Sequence, residues 1–171
     1  MAMPLTADLC DRLGSRACVC QAPWRSYGGR CAAEGLAATV QCLDDAALLR
    51  AQLAEPGRGR ILVVDGGGSL RAALLGDRMA RLAMDSGWAG LVIHGAVRDV
   101  ARLRTMDIAV LALGHVPVRG GRTGAGRAGG ELRLGGAVFR PGAYVCLDED
   151  GVVVLEHAPD GGFADGPPAH P

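Results

Sequence analysis

The sequence predicts an α/β fold in one domain, with parallel βα units in its first two-thirds and antiparallel strands after them. Three observations lead to this reading. Fully apolar runs at Ile61 to Val64, Leu91 to Ile93 and Ile108 to Leu113 alternate with segments of helical periodicity, as buried parallel strands joined by helices do. After His115 that periodicity stops, and short apolar runs separated by glycines continue to Leu155, which is the pattern of an antiparallel sheet. A length of 171 residues suits a single domain with a sizeable core.

Composition narrows the function classes. All 18 basic residues are arginine, they balance 18 acidic ones, and hydrophobic residues make up 49% of the chain. A net charge of zero gives no global electrostatic case for a nucleic-acid or membrane partner. The N-terminus meets Asp8 and Asp11 early and lacks an apolar signal core, and no run is long enough to span a bilayer, so a cytoplasmic location is expected. Six cysteines in a chain of this size do not call for disulfide stapling, and Cys18-Val19-Cys20 without a second pair is a weak zinc signal.

Taken in order, residues 4–16 predict a short helix with Thr6 as N-cap and Leu5, Leu9 and Leu13 on one face. Residues 21–35 read as a loop and Leu36 to Leu43 as a strand. Asp44 then caps a helix carrying Ala47, Leu48, Ala51 and Leu53, which ends at the EPGRGR turn. The strand Ile61 to Val64 runs into Asp65-Gly66-Gly67-Gly68-Ser69, which lacks the lysine pattern of a phosphate loop, and Asp65 reads as a cap. A second helix begins near Asp77, with Leu75, Met79, Leu82 and Ala83 at helical spacing. The strand Leu91 to Ile93, bounded by Gly90 and Gly95, follows it. After Asp99 a short helix with Val100 and Leu103 leads to the strand Ile108 to Leu113. The antiparallel half is then assigned to Val116 to Val118, Leu132 to Leu134, Ala137 to Phe139, Tyr144 to Leu147 and Val152 to Leu155. Arg119 to Gly130 has the composition of an RGG tract but no interleaved aromatics, so it reads as a flexible connection. Residues 1–157 form the domain, and 158–171 form a Pro/Gly tail expected to be disordered. His94 reads as a hydrogen-bonded core or interface histidine, while His115 and His157 stand isolated.

The chemistry concentrates in Leu74 to Asp99. A helix starting at Asp77 presents the amides of Gly76, Asp77, Arg78 and Met79 to an anion, and Gly76 lets it come close. At the other end Arg98 and Asp99 follow a strand, where open α/β sheets place ligands. Arginine offers a fork to a carboxylate, and aspartate offers a hard oxygen to a divalent cation. The same residues also fit a helix cap at Asp77 and two solvated charges at Arg98 and Asp99. No Ser-His-Asp, Cys-His or HExxH constellation is present.

The runs YGGRCAAEGLAATVQCLDD, ILVVDGGGSLRAALLGD, GWAGLVIHGAVRD and PGAYVCLDEDGVVVL, in that order between Tyr27 and Leu155, resemble the RraA-like family. That family includes regulators of ribonuclease activity and class II 4-hydroxy-4-methyl-2-oxoglutarate aldolases. The resemblance implies a three-layer β/β/α sandwich of the swivelling-domain type and a homotrimer with sites between subunits. In the aldolase branch an acidic residue is followed after twenty residues by Arg-Asp, a spacing reproduced by Asp77, Arg98 and Asp99. By that likeness Arg98 binds the substrate carboxylate, Asp99 binds the metal, the Gly76 to Met79 amides complete the cradle, and Asp77 orders water or moves a proton. Two departures stand out: Arg102 occupies a position where the aldolases carry an acid, and Ala143 follows Pro141-Gly142 in place of aspartate.

The expected activity is therefore a lyase that cleaves 4-hydroxy-4-methyl-2-oxoglutarate to pyruvate, with oxaloacetate decarboxylation beside it, using Mg²⁺ or Mn²⁺. The expected partners are a small 2-keto acid and two further copies of the chain. Asp148, Glu149 or Asp150 of a neighbouring copy is expected to add oxygens to the metal shell. The alternative is a protein that binds and inhibits a ribonuclease.

Overall fold

The protein is described here by a computed structural model covering residues 5–159. In chain order the elements are α1 (Thr6–Leu13), β1 (Cys18–Cys20), β2 (Arg25–Ser26), β3 (Ala33–Gln41), α2 (Ala47–Ala54), β4 (Ile61–Asp65), β5 (Ala73–Leu75), α3 (Asp77–Asp85), β6 (Gly90–Val97), α4 (Val100–Leu103), β7 (Ala109–His115), β8 (Arg127–Ala128), β9 (Leu132–Leu134), β10 (Ala137–Phe139), β11 (Tyr144–Asp148) and β12 (Gly151–Leu155). The main sheet runs β1-β12-β11-β3-β4-β6-β7-β2, with β5 beside β6 and β8 beside β3. Strands β3, β4, β6 and β7 are parallel, and β11, β12 and β1 continue from β3 antiparallel, so β3 joins the two halves.

Side-chain alternation makes the layers. Leu62, Val64, Leu91, Ile93, Val110 and Ala112 face α2, α3 and α4 through Leu49, Leu53, Ala80, Ala83 and Leu103. Their neighbours Ile61, Val63, Val92, Ala109 and Leu111 point the other way. They meet Val145, Leu147, Val152 and Val154 of the antiparallel half and Leu132, Leu134, Ala137 and Phe139 of the β9–β10 hairpin. A parallel strand buried on both faces must be apolar at every position, and for that reason these runs were readable from the sequence. The α/β fold with helix, sheet and sheet layers is thus the one expected. Helix α1 adds a cover on the outer face of β11 and β12, where Leu9 packs on Tyr144, Cys146, Val153 and Leu155.

Several expectations are corrected. Thr6 is the first residue of α1 rather than its cap. Its amide and hydroxyl both donate to the buried Asp148 carboxylate at 2.7 Å, so a residue 142 positions away serves that helix end. Asp148 also accepts the Asp150 amide at 2.9 Å, and this commitment removes it as a metal donor to a neighbouring copy. The N-cap of α2 is Ala46, and the Asp45 carboxylate one residue before it accepts the Ala47 amide at 3.1 Å, whereas Asp44 pairs with Arg71 at 2.7 Å. Leu75 lies in β5, not on α3. The region 21–35 contains β2, paired with β7. Gly95 is inside β6, at a register shift, rather than at its boundary. Val116 to Val118 form no strand; next to them Arg119 bridges Ala73 of β5.

The arginine-glycine tract is pinned rather than loose. Its β8 pairs with Val40 and Gln41, and Thr39 donates its hydroxyl to the Gly130 carbonyl at 2.7 Å. Asp65 accepts the Gly67 amide at 2.9 Å, as a turn cap does. Among the described residues the buried His94 Nδ1 has no hydrogen-bond partner and its ring stands edge-on to Trp24, while His115 is not isolated, since its Nδ1 lies 3.0 Å from the Tyr27 hydroxyl. No disulfide forms among the described residues. The tail expectation concerns a segment most of which, residues 160–171, lies outside the described residues. Among the described residues no helix is long and apolar enough to cross a membrane.

Candidate functional site

Strand β5 ends at Leu75, and Gly76 turns the chain into α3, which begins at Asp77 as the sequence predicts. The adjacent strand β6 ends at Val97, and the Arg98 amide donates to the Leu75 carbonyl at 2.9 Å, so the two strand ends are locked together. Asp99 follows in the left-handed conformation, at φ 57° and ψ 39°, and starts α4. A short polar side chain is among the few that adopt this backbone readily. The turn directs the Asp99 carboxylate back at α3, where its Oδ2 accepts the Asp77 amide at 3.1 Å.

Gly76 is required by this approach. A Cβ there would lie 2.5 Å from Asp99 Oδ2 and 3.4 Å from the Arg98 side chain. Arg98 is partly exposed, with Nε 3.9 Å from Asp99 Oδ2. Gly76 and Asp77, with twenty residues between them and Arg98 and Asp99, therefore form one cluster with that pair. Arg78 and Met79 also line the cleft above it, which has a volume of about 930 Å³.

Two of the four amides offered at this helix end already meet carboxylates. Besides the Asp77 amide on Asp99, the Arg78 amide donates to Asp77 Oδ1 at 2.8 Å. The other oxygen, Asp77 Oδ2, receives Arg102 Nη1 at 2.8 Å. This Arg102 bond, joined by the Arg78 amide, holds the Asp77 carboxyl below its usual range against the opposing effect of burial. Arg102 thus has a structural partner inside the site, and Asp77 is an ionised acceptor with both oxygens engaged.

Seven arginines and three aspartates line the cleft, a formal excess of four positive charges. Sequence reasoning found Arg78, Arg98 and Arg102 but missed Arg50, Arg81, Arg119 and Arg122. The last two were hidden in a tract whose glycines suggested flexibility. Those glycines instead permit close packing, since a Cβ at Gly120 would lie 2.9 Å from the Ala73 carbonyl oxygen and one at Gly121 would lie 2.9 Å from Asp45 Oδ2. Among the described residues no group of three or more His, Cys, Asp or Glu side chains is placed to hold a metal ion.

Residues 6–154 match the RraA-like family, described as Aldolase/RraA. The chain belongs to that family. It is 45% identical over 151 residues to a protein of Aromatoleum aromaticum (strain DSM 19018 / LMG 30748 / EbN1) named "Putative 4-hydroxy-4-methyl-2-oxoglutarate aldolase", covering 88% of this chain and 95% of that one. Among solved structures it resembles the RNA-processing inhibitor RraA from Thermus thermophilis, with a TM-score of 0.88 and 40% identity over 96% of this chain and 100% of that one. It equally resembles an S-adenosylmethionine:2-dimethylmenaquinone methyltransferase from Geobacillus kaustophilus HTA426, with a TM-score of 0.88 and 45% identity over 91% of this chain and 96% of that one. Three names of different chemistry on one fold leave the activity to be argued from the site.

Proposed function

We propose that this RraA-like protein is a lyase acting on 2-keto acids, cleaving 4-hydroxy-4-methyl-2-oxoglutarate to pyruvate and decarboxylating oxaloacetate. The observation that carries the reading is the packing of Asp99 and Arg98 against Gly76 at the start of α3, which puts a hard oxygen, a guanidinium fork and a helix N-terminus in one corner of an arginine-lined cleft. Such a cleft suits an anionic substrate better than a sulfonium cofactor or an apolar quinone, and this weighs against the methyltransferase chemistry named for one relative.

The donor set fits a hard cation held largely by water. Asp99 commits Oδ2 to the Asp77 amide, and Asp77 is taken by Arg102 and Arg78, so one carboxylate oxygen is the main protein ligand on offer. Magnesium commonly accepts one or two carboxylates plus waters, and Mg²⁺ or Mn²⁺ is the proposed ion at Asp99. Bound there, it would act as a Lewis acid toward the 2-keto oxygen. Arg98 pairs with the substrate carboxylate, and the positive end of α3 favours the negative charge that develops as the bond to the leaving carbon breaks. Asp77 keeps Arg102 and the first turn of α3 in place. In this geometry it orders the site, and water held beside it would accept the proton that the substrate's 4-hydroxyl gives up on aldol cleavage.

The test is pyruvate formation from oxaloacetate and from 4-hydroxy-4-methyl-2-oxoglutarate, with Mg²⁺ and with excess chelator. Asp99→Ala is expected to abolish the metal-stimulated rate, and undiminished turnover in that variant would falsify the assignment. The short protein donor set also supports a homotrimer in which a neighbour completes the site, Glu149 and Asp150 being exposed at the β11–β12 turn. Light scattering should then give the mass of three chains, and a fully active monomer would exclude it.

A second reading, inhibition of a ribonuclease by surface docking, is favoured by the full-length likeness to the RNA-processing inhibitor. Failure of a ribonuclease to co-purify with the tagged protein from cell extract at low salt would remove it.

A further inference from the structure

The loop after β7 is built with more precision than a connection needs. The Ala73 amide donates to the Val118 carbonyl at 2.7 Å, and the Gly120 amide donates to the Ala73 carbonyl at 2.9 Å, so Arg119 is clipped to the start of β5. Gly121 donates its amide to the Asp44 carbonyl at 2.8 Å and accepts the Ala46 amide at 2.9 Å. Buried Asp45 then takes the Thr123 amide and hydroxyl, both at 2.7 Å, and the Gly124 amide at 3.1 Å. Arg119 and Arg122 are exposed, line the same cleft as Arg98, and form no ion pair among the described residues. A backbone tied down at six points thus carries two exposed arginines at the rim of the cleft.

Their position relative to the candidate site follows from β5. Arg119 flanks Ala73, three residues before Gly76, and a strand rises about 3.3 Å per residue, so its backbone sits roughly 10 Å from the corner where Arg98 and Asp99 meet α3. That gap suits a small diacid with its keto-acid end at Arg98 and its other end met by a second arginine reaching inward.

We propose that Arg119 and Arg122, on the loop latched by Asp45, bind the distal carboxylate of the substrate and so select 2-keto acids with a second carboxylate over monocarboxylate ones. This rests on the reading of the cleft as a 2-keto-acid site. Arginine pairs with a carboxylate through two parallel hydrogen bonds, and a loop ordered before binding loses little entropy when it does so. Asp45 is a positioning residue here: it touches no substrate and acts through the loop.

Calorimetric titration of the full chain with Mg²⁺ present, using pyruvate and 2-oxoglutarate as probes, tests this. The parent protein is expected to bind 2-oxoglutarate at least about tenfold more tightly than pyruvate, as added charge-assisted hydrogen bonds would give. In Arg119→Gln/Arg122→Gln that preference should vanish while pyruvate affinity stays within about twofold. Asp45→Asn should lose part of the preference in the same one-sided way, and Thr123→Val, a milder cut at the same latch, serves if that variant does not fold. Equal weakening of both probes, or an unchanged preference in the double variant, overturns the proposal. Arg98→Ala separates the two readings. Loss of both probes in that variant with an unchanged preference in the double variant sinks only the distal-carboxylate assignment, whereas a parent protein that binds neither probe sinks both.

Discussion

The Asp99 carboxylate accepts the backbone amide of Asp77 at 3.1 Å, which couples the end of β6 to the first turn of α3. Gly76 is the hinge of that contact, since any side chain there collides with Asp99 at 2.5 Å. Gly76→Ala is therefore expected to push the carboxylate off the helix end while leaving the distant core intact. A displacement on the order of 1 Å costs about a hundredfold in rate when it misplaces a reacting group. Steady-state pyruvate formation should fall by that order, with far-ultraviolet circular dichroism unchanged. A fully active Gly76→Ala protein would show that the close approach is not needed.

Arg102 gives a prediction of opposite character. It is largely exposed, and exposed ion pairs stabilise little, so Arg102→Ala should leave the thermal midpoint close to that of the parent. The effect belongs in the pH profile. Arg102 is the largest cause of the lowered Asp77 pKa, so removing it raises that pKa toward its ordinary value. The acid limb of activity should consequently move to higher pH. An acid limb that stays in place would mean that Asp77 ionisation does not govern the site.

The sequence made the fold legible where burial imposes a pattern. Ile61 to Val64 is apolar at every position because both of its faces are covered, and Asp77 was readable as a helix start because Gly76 and the following periodicity mark it. What was not legible depends on long-range partners. Nothing near Thr6 announces that Asp148 will serve its helix end, and nothing near Arg119 announces that Asp45 will hold its loop. The resemblance to the aldolase branch, through its twenty-residue spacing, brought Asp77, Arg98 and Asp99 together in advance. It did not show that Arg102 would take up Asp77, because a salt bridge between residues 25 positions apart depends on how α3 and α4 pack.

Phe139 tests the layer architecture. It is fully buried in the β9–β10 hairpin, which packs on the face of the parallel strands opposite the helices. Removing a buried phenylalanine ring costs about 3–5 kcal/mol through lost burial and the cavity it leaves. Urea denaturation of Phe139→Ala should show a loss of that size. A loss under about 1 kcal/mol would mean that the hairpin packs loosely and that the second β layer adds little.

Asp45 links the loop over the cleft to acid stability. The Thr123 hydroxyl, with the amides of Thr123, Ala47 and Gly124, holds its carboxyl down to about 2 against an ordinary value of 3.8, although burial opposes the shift. Because the folded value lies below the unfolded one, the stabilisation is complete above about pH 4 and is lost as the pH falls toward about 2. Asp45→Asn removes that term, since an amide binds no proton in this range and offers one acceptor oxygen instead of two. The variant should be less stable than the parent at pH 7, and the gap should narrow steadily between pH 4 and pH 2. Thermal midpoints of both proteins across that range provide the measurement. A gap that stays constant with pH would show that Asp45 acts through packing alone and that its charge does not hold the loop.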